Sequence, residues 1–325
     1  MHDVAREAGV SRGTVSRVVN GEPYVSPQSR IAVEAAIART GYTPSSAARN
    51  LVRQRSQAVG FIVHEPHALF VEDPNIGDIL LGANRALSQA DYQMSTLVVD
   101  SKRDTERIAR YLRGGVVDGV ILVSARENDE ILDVVRNLEL VAAFVGHPRD
   151  NLPYVGIDNL HAAEQITKRL RETGRRRIGM IAAALDRDSG IDRLEGFKRA
   201  LGASFDAELV VPVDNYSYAN GVTGMRKLLA QHPDIDGVFA ASDAVAAGAL
   251  EVLHDAGVRV PEQLGIVGFD DSAWALRCQP ALSTVRQPAV TLGERAAQLV
   301  LAQLRNEVID TNIVLDTPII WRDSA

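Results

Sequence analysis

Two stretches of the chain repeat at nearly equal spacing, and this repeat restricts the possible folds more than any other feature. "AVGFIV" at 58–63 resembles "RIGMIA" at 177–182, and "VDGVILVS" at 117–124 resembles "IDGVFAAS" at 235–242. Each unit alternates strand and helix patterns, and continuous apolar strands of this kind suit parallel sheets covered on both faces. Chance likeness among such strands is the alternative, and the matched spacing argues against it. We therefore predict two α/β lobes of the same plan.

Length and composition favour a multidomain cytoplasmic protein. With 325 residues, of which 46% are hydrophobic and 24% charged, we expect two or three domains. The longest apolar runs are strand-length, far below the roughly 20 residues of a membrane span, and no apolar signal region opens the chain. A single cysteine, Cys278, excludes an internal disulfide framework and fits a reducing compartment.

The stretch "REAGVSRGTVSRVVNG" at 6–21 has the pattern of two short helices joined by a turn. Gly9 is suited to the turn and Ser11 to capping the second helix. Val15, Val18 and Val19 repeat at helical spacing and are predicted to face inward. This is the pattern of a helix-turn-helix, whose second helix lies in the major groove of DNA.

The outer face of that second helix carries residue types that recognise DNA. Arginine makes bidentate contacts with guanine, serine and asparagine hold phosphates, and glycine lets the backbone approach closely. The predicted DNA-binding residues of this helix are Ser11, Arg12, Gly13, Thr14, Ser16, Arg17 and Asn20. Residues 1–56 hold eight arginines against four acidic residues, whereas the remainder is acidic. A solvated helical surface is the alternative explanation of this charge.

A third helix is predicted from Ser26 or Pro27 to about Arg39, and "GYTPSSAARNLVRQRS" at 41–56 follows it. Pro44 breaks the chain, and a helix of about two turns ending near Arg53 is marginal alone in water. It would become stable on DNA beside a second copy, with Leu51 as a minor-groove wedge and Arg49 and Arg53 on phosphates. A flexible interdomain linker is the other interpretation, and both can hold.

From "DVAREAGVSRGTVSRVVNG" through the hinge to "VGFIV", the chain resembles the head of the LacI/GalR family of bacterial transcription regulators. The resemblance places Arg12, Gly13 and Arg17 where that family reads bases and Leu51 where its hinge leucine intercalates. Gly13 departs from the more usual polar side chain, which affects the half-site sequence that would be read. The body resembles the family's periplasmic-binding-protein-like effector domain.

Ligands of open parallel sheets bind beyond the carboxyl ends of the strands, so two facing lobes predict a cleft there. The predicted effector-binding residues are Asn75, Ser124, His147, Arg193, Tyr216, Ser242 and Asp270. Most are polar residues that directly follow predicted strands, whereas Arg193 is predicted to lie in a strand-to-helix connection. The resemblance implies that Arg193 and Asp270 grip sugar hydroxyls and that Tyr216 stacks on the ring.

Each of these three residues also has a structural explanation. Asp270 could cap the helix after its strand, Arg193 could form a surface ion pair, and Tyr216 could anchor a loop. Gly146 and His147 replace the Asp-containing turn of some sugar-responsive members, so hydroxyl recognition there is expected to differ.

Motifs for catalysis and cofactors are absent from the sequence. No two glycines are separated by a single residue, and there is neither a P-loop nor a G-x-S-x-G elbow. His64 and His67 form H-x-x-H, but Pro66 interrupts the helix that such metal ligands need. We expect no cofactor, no metal and no enzymatic activity; a solute-binding receptor and an enzyme using the cleft are the alternatives.

These features combine into one prediction: an all-α helix-turn-helix head (1–43), a hinge helix or linker (44–56), and a two-lobe α/β domain with parallel sheets (57–325). Lobe one is expected at about 57–156 and 286–316, and lobe two at about 157–285 and 317–325. The predicted function is a DNA-binding regulator, expected to be a repressor, that binds a pseudo-palindromic operator in double-stranded DNA as a homodimer. A small molecule, expected to be a sugar or sugar derivative, would control it. Because no heptad tail follows "LDTPIIWRDSA", we expect a dimer and not a tetramer.

Overall fold

The computed structural model describes residues 1–42, 55–126, 129–147, 152–308 and 310–325. The chain divides into two compact units, Met1–Gln57 and Ala58–Ala325, called here the head and the body. The predicted hinge helix, including Arg49, Leu51 and Arg53, lies outside the described residues.

The described part of the head contains three helices whose ends are fixed by local sequence. Their bounds are α1 (His2–Ala8), α2 (Arg12–Val19) and α3 (Pro27–Thr40). Gly9 ends α1 with a φ of 65°, a conformation that glycine adopts without strain. The Ser11 side chain caps α2 by accepting a hydrogen bond from Thr14 N at 3.1 Å. Ser26 caps α3 in the same way, and Pro27 occupies its first turn.

A small apolar core joins the three helices of the head. Val4 of α1, Val15 and Val18 of α2 and Val33 of α3 are all buried in it. The inward side of α2 is therefore the side that the valine spacing predicts, and its other side carries the polar residues.

The body contains two parallel sheets flanked by helices. Its strands are β1 (Ala58–Val63), β2 (Gln93–Val98), β3 (Gly119–Val123), β4 (Val141–Val145), β5 (Tyr154–Ile157), β6 (Ile178–Ala183), β7 (Val210–Val213), β8 (Gly237–Ala240), β9 (Gly265–Val267), β10 (Thr284–Val285), β11 (Asn312–Leu315) and β12 (Ile319–Ile320). Its helices are α4 (His67–Glu72), α5 (Pro74–Gln89), α6 (Lys102–Arg113), α7 (Glu130–Asn137), α8 (Asn159–Glu172), α9 (Asp188–Leu201), α10 (Tyr218–Gln231), α11 (Asp243–Asp255), α12 (Ala273–Arg277) and α13 (Ala289–Leu304).

The two sheets repeat one strand order, and this confirms the predicted fold class. The first sheet runs β11-β5-β4-β3-β1-β2 and the second β7-β6-β8-β9, all in parallel. In each sheet the first strand lies between the second and the third, as in doubly wound folds. Polar groups at the carboxyl ends of β1 and β3, and of β6 and β8, are thus placed where such folds bind ligands.

After the second sheet the chain returns to the first. β10 pairs with β12 in an antiparallel ribbon, while α13 packs on α5 and β11 extends the first sheet. A Cβ at Gly82 of α5 would lie 1.9 Å from Val290 O, and one at Gly293 of α13 would lie 1.9 Å from Ile79 O. These glycines let α5 and α13 approach closely. None of the helices formed by the described residues is long and apolar enough to cross a membrane.

Candidate functional site

The outer face of α2 presents polar groups that are only lightly engaged with the rest of the head. Arg12, Gly13 and Arg17 are exposed. Arg17 Nε lies 3.9 Å from Glu22 Oε2, and about half of each side chain is exposed, so this contact contributes little. Arg12 has no ion-pair partner among the described residues. Both guanidinium groups are therefore available to an external partner.

The other predicted contact residues of α2 take part in local hydrogen bonds. The hydroxyl oxygens of Ser11 and Thr14 lie 3.0 Å apart, and Asn20 Nδ2 donates to Ser16 Oγ at 3.4 Å. Ser11 also supplies the helix cap, so it orients the start of α2. This arrangement places a helix N-terminus, two exposed arginines and short polar side chains on one face, which suits base edges and phosphates.

The body holds a cavity of about 110 Å³ at the carboxyl ends of strands from both sheets. Charged and polar side chains line its wall together with apolar ones from the first sheet's lobe, namely Ile76, Ile79, Val123, Phe144, Val145, Ile157 and Leu292. From the first sheet's side the polar lining includes Glu65, Asp73, Asn75 and Ser124, and Asn159 and Gln287 join it from segments that connect the two sheets. From the second sheet's side it consists of Arg187, Asp188, Ser189, Arg193, Tyr216 and Asp270.

Five of the seven predicted effector-binding residues meet at this cavity: Asn75, Ser124, Arg193, Tyr216 and Asp270. Two of them lie on other elements than the sequence predicts. Asn75 does not directly follow a strand but lies in the first turn of α5, the second helix after β1. Arg193 does not lie in a strand-to-helix connection, since α9 begins at Asp188 and Arg193 projects from its second turn. Helical spacing brings Ser189 and Arg193 to the same wall.

His147 and Ser242 are not among the described residues that line the cavity. His147 is exposed; its backbone N donates to Asp188 Oδ2 at 2.6 Å, and its ring Nε2 lies 3.0 Å from the Tyr154 hydroxyl. Ser242 is buried and caps α11, accepting from Val245 N at 3.2 Å. An effector contact of either residue stays a prediction.

Arg193 is buried and held from several sides. Its Nε donates to Asn159 Oδ1 at 3.0 Å and its Nη1 to Ala241 O at 2.6 Å. The guanidinium carbon stands 3.6 Å from the centroid of the Phe269 ring, and Nη2 lies 3.7 Å from Asp270 Oδ1. A side chain with 4% exposure is not a surface ion pair. Arg193 is instead fixed in a single orientation before any ligand arrives.

Two carboxyl groups of the wall have raised pKa values because they are buried. Burial raises the pKa of Asp270 well above its usual range, although Arg193 opposes this. Burial likewise raises the pKa of Asp73 to about 6. Asp270 does not cap the following helix α12, because Ser272 does so through Trp274 N at 3.3 Å. Carboxyl groups that are costly to ionise in the cavity would gain from a ligand that donates hydrogen bonds to them.

Tyr216 covers one side of the cavity. Its hydroxyl lies 3.0 Å from Ser189 Oγ, and its ring centroid stands 5.3 Å from the Arg193 guanidinium. Burial raises the pKa of the hydroxyl, so it stays protonated. The ring supplies an apolar face, beside the charged groups that supply directional hydrogen bonds.

The sequence prediction missed seven polar lining residues: Glu65, Asp73, Asn159, Arg187, Asp188, Ser189 and Gln287. Glu65 and Arg187 form a buried ion pair with 2% and 3% of their side chains exposed. Both residues follow the first strand of their sheet, β1 and β6. The signal that indicates both is their position as charged residues in the loop after a strand.

The H-x-x-H pair does not converge on one point. His64 Nδ1 contacts Asp129, whereas His67 Nδ1 lies 2.7 Å from Asp100 Oδ2. Across the ranges that the structure describes, no group of three or more His, Cys, Asp or Glu side chains is placed to hold a metal ion.

Comparison with known proteins matches both units. Residues 1–45 match the family model "Bacterial regulatory proteins, lacI family", and residues 167–325 match "Periplasmic binding protein-like domain". The chain is 39% identical over 330 residues to the HTH-type transcriptional regulator CelR of Thermobifida fusca, covering 99% of this chain and 97% of that protein.

Solved structures give the same picture. A transcriptional regulator CelR–cellobiose complex superposes with a TM-score of 0.80 at 37% identity, covering 99% of this chain and 98% of that one. A lac repressor dimer bound to operator and the anti-inducer ONPF superposes with a TM-score of 0.88, covering 99% of this chain and 97% of that one. At 22% identity this second likeness shows the fold alone. These relatives are transcription regulators and not enzymes.

Proposed function

The chain belongs to the lacI family of bacterial regulatory proteins, and from this premise we propose that it represses transcription by binding a pseudo-palindromic operator as a homodimer. A sugar bound in the cavity of the body controls this binding. The observation that carries the proposal is the face of α2, where Arg12 and Arg17 are exposed on a helix that the Ser11 cap and the valine core hold in place.

The DNA-binding residues are proposed to be those of α2, namely Ser11, Arg12, Gly13, Thr14, Ser16, Arg17 and Asn20, together with Arg49, Leu51 and Arg53 of the hinge. Arg12 and Arg17 can each make a bidentate contact with guanine, worth ~1–3 kcal/mol of discrimination. A second copy would present the same face to the other half-site, so the pairing of heads sets the operator spacing.

The effector is proposed to be a neutral sugar held between the two sheets. Arg193 and Asp270 offer fixed donors and acceptors, and Tyr216 offers a face for the apolar side of a ring. The likeness to a CelR–cellobiose complex supports cellobiose as the first probe. A ligand that prefers one orientation of the lobes shifts the population of that orientation, and ~1–3 kcal/mol of coupling suffices for a switch.

The remaining assignments are part of the same proposal. We place the head at 1–43, the hinge at 44–56 and the effector and dimerisation domain at 57–325, with lobe boundaries near 156, 286 and 316. Action on chromosomal operators implies a cytoplasmic protein.

Two measurements on the purified chain test this function. Selection from a pool of random duplexes, with excess bulk DNA as competitor, should enrich a pseudo-palindromic sequence. A thermal-shift screen of sugars, beginning with cellobiose, should raise the melting temperature, because a ligand that binds the folded state stabilises it by mass action. No enrichment of any duplex, with or without sugars, would refute the proposal.

A further inference from the structure

Among the residues of the body that the structure describes, four polar contacts join the side of the first sheet to that of the second across the carboxyl ends of their strands. Arg126 Nε donates to Asp186 Oδ2 at 2.5 Å, and the Glu65–Arg187 ion pair lies beside it. The backbone N of His147 donates to Asp188, and that of Tyr218 donates to Glu72 Oε1 at 3.1 Å.

The Glu65–Arg187 pair differs from the other contacts in burial and in completeness. Both side chains line the cavity, and both are nearly fully buried. Arg187 Nη1 donates to Glu65 Oε1 and Nε donates to Asp186 Oδ1 at 3.2 Å. Glu65 Oε2 and Arg187 Nη2 have no hydrogen-bond partner within the described part of the chain. A buried charged pair with one acceptor and one donor unused is costly to maintain without a further partner.

The two unused atoms have complementary chemistry. A carboxylate oxygen accepts a hydrogen bond and a guanidinium nitrogen donates one. Two neighbouring hydroxyl groups on a sugar ring can satisfy both, since one hydroxyl donates to Glu65 and the other accepts from Arg187. Hydrogen bonds to charged groups are stronger than those between neutral groups, and this pair is fixed beforehand by its own ion pair.

The charge of the wall selects against anionic ligands. Four carboxyl groups line the cavity, those of Glu65, Asp73, Asp188 and Asp270, against the two guanidinium groups of Arg187 and Arg193. A phosphate or carboxylate would meet an excess of carboxyl oxygens, whereas hydroxyl groups can donate to them.

We propose that Glu65 and Arg187, whose ion pair joins the two lobes, also form a subsite for the effector. This subsite binds two adjacent hydroxyl groups of a neutral sugar. This inference rests on the proposed function. Because Glu65 follows β1 and Arg187 follows β6, a ligand bonded to both holds one lobe against the other. The subsite therefore contributes both to specificity and to the coupling between ligand binding and lobe orientation.

The test compares Glu65→Gln with the matched control Glu72→Gln. Both changes remove one carboxylate that accepts a hydrogen bond across the lobes, but Glu72 does not line the cavity. By calorimetry, Glu65→Gln should weaken binding of cellobiose, or of the neutral sugar that gives the largest thermal shift, by about 10- to 100-fold, and Glu72→Gln by less than about threefold. Arg187→Lys keeps the positive charge but loses the planar guanidinium group with its several N–H donors. It is the second variant if Glu65→Gln fails to fold, and it should weaken sugar binding in the same way.

Monodeoxy analogues of the same sugar identify the hydroxyls. The analogue that lacks the contacted hydroxyl should bind the unmodified protein weakly and should show no further loss with Glu65→Gln, because the two changes remove one interaction. Equal sugar affinity in Glu65→Gln and the unmodified protein, or a preference for sugar phosphates or sugar acids, would overturn the subsite while leaving the regulator intact. No response to any sugar, with operator binding preserved, would overturn the sugar effector and the subsite together.

Discussion

The outer face of α2 and the wall of the cavity present arginines in opposite ways. Arg12 and Arg17 stand in solvent with weak contacts or none in the described ranges, whereas Arg187 and Arg193 are buried and bonded to several groups each. The first pair is arranged for a large polyanion that brings its own phosphates and base edges. The second pair is fixed around a space that a small molecule can fill.

This difference predicts how the two regions respond to mutation. An exposed arginine that meets its partner only in a complex can be removed with little effect on folding. A buried arginine that neutralises a carboxylate cannot, because its removal leaves a buried charge unpaired. Removing an arginine of the α2 face should thus abolish function without lowering stability. Removing a buried arginine of the cavity should lower both function and stability.

The largest effect is expected from Arg193→Ala. The change removes the hydrogen bonds to Asn159 and Ala241 and the cation beside Asp270, so unfolding should become easier by ~3–5 kcal/mol. Sugar binding should be lost as well. Denaturant unfolding and calorimetry measure the two effects. Arg199→Ala, an exposed arginine of the same helix, should change stability by about 0.5 kcal/mol or less; equal effects of both variants would contradict the account.

The next effect is expected from Arg17→Ala. The dimer loses one bidentate base contact in each half-site, at ~1–3 kcal/mol apiece, so operator affinity should fall about 100-fold or more. The melting temperature and sugar affinity should not change. Fluorescence anisotropy with a selected duplex is the measurement, and Arg39→Ala, an exposed arginine of α3 paired with Glu7, is the control. If both variants weaken binding equally, the face of α2 does not read the operator.

A smaller effect is expected from pH, which tests whether a carboxyl group of the cavity accepts a hydrogen bond from the sugar. Burial raises the pKa of Asp73 to about 6, so lowering the pH from 7 to 5 protonates this carboxyl in the ligand-free body. A sugar hydroxyl that donates to the ionised form should then bind about tenfold more weakly at pH 5. Calorimetry at both values checks this. Asp73→Asn should flatten the dependence; a steeper or unchanged profile in this variant would show that Asp73 does not accept from the sugar.

The smallest effect is expected from Gly13→Ala. A Cβ at this position meets only Ser11 Oγ at 3.6 Å, so there is room for it in the free head. Alanine should stabilise α2 by up to ~1 kcal/mol over glycine. If the backbone at Gly13 approaches DNA closely, operator affinity should fall while the head becomes more stable. Unchanged operator affinity in Gly13→Ala would show that the backbone at Gly13 does not approach DNA closely.

The two regions also differ in how far their sequence predicts them. The face of α2 could be predicted because helical spacing alone brings Arg12, Ser16 and Asn20 to one side. Likewise, the repeat predicted two α/β lobes of the same plan. Glu65 and Arg187 each follow a strand, so the sequence could indicate them one by one, but their pairing could not be predicted, since they are distant in sequence and meet only when two lobes face each other. Arg193 shows an intermediate case, in which the residue was identified but its helix was not.

The most direct test of the central claim is the sugar affinity of the chain measured with and without saturating operator. If a sugar in the body controls DNA binding by the head, the two affinities are linked, and the ratio of sugar dissociation constants must equal the change that the sugar makes in operator affinity. We predict a ratio of about 5 to 150, as for typical allosteric coupling. Identical sugar affinity in the free and operator-bound protein would contradict the account.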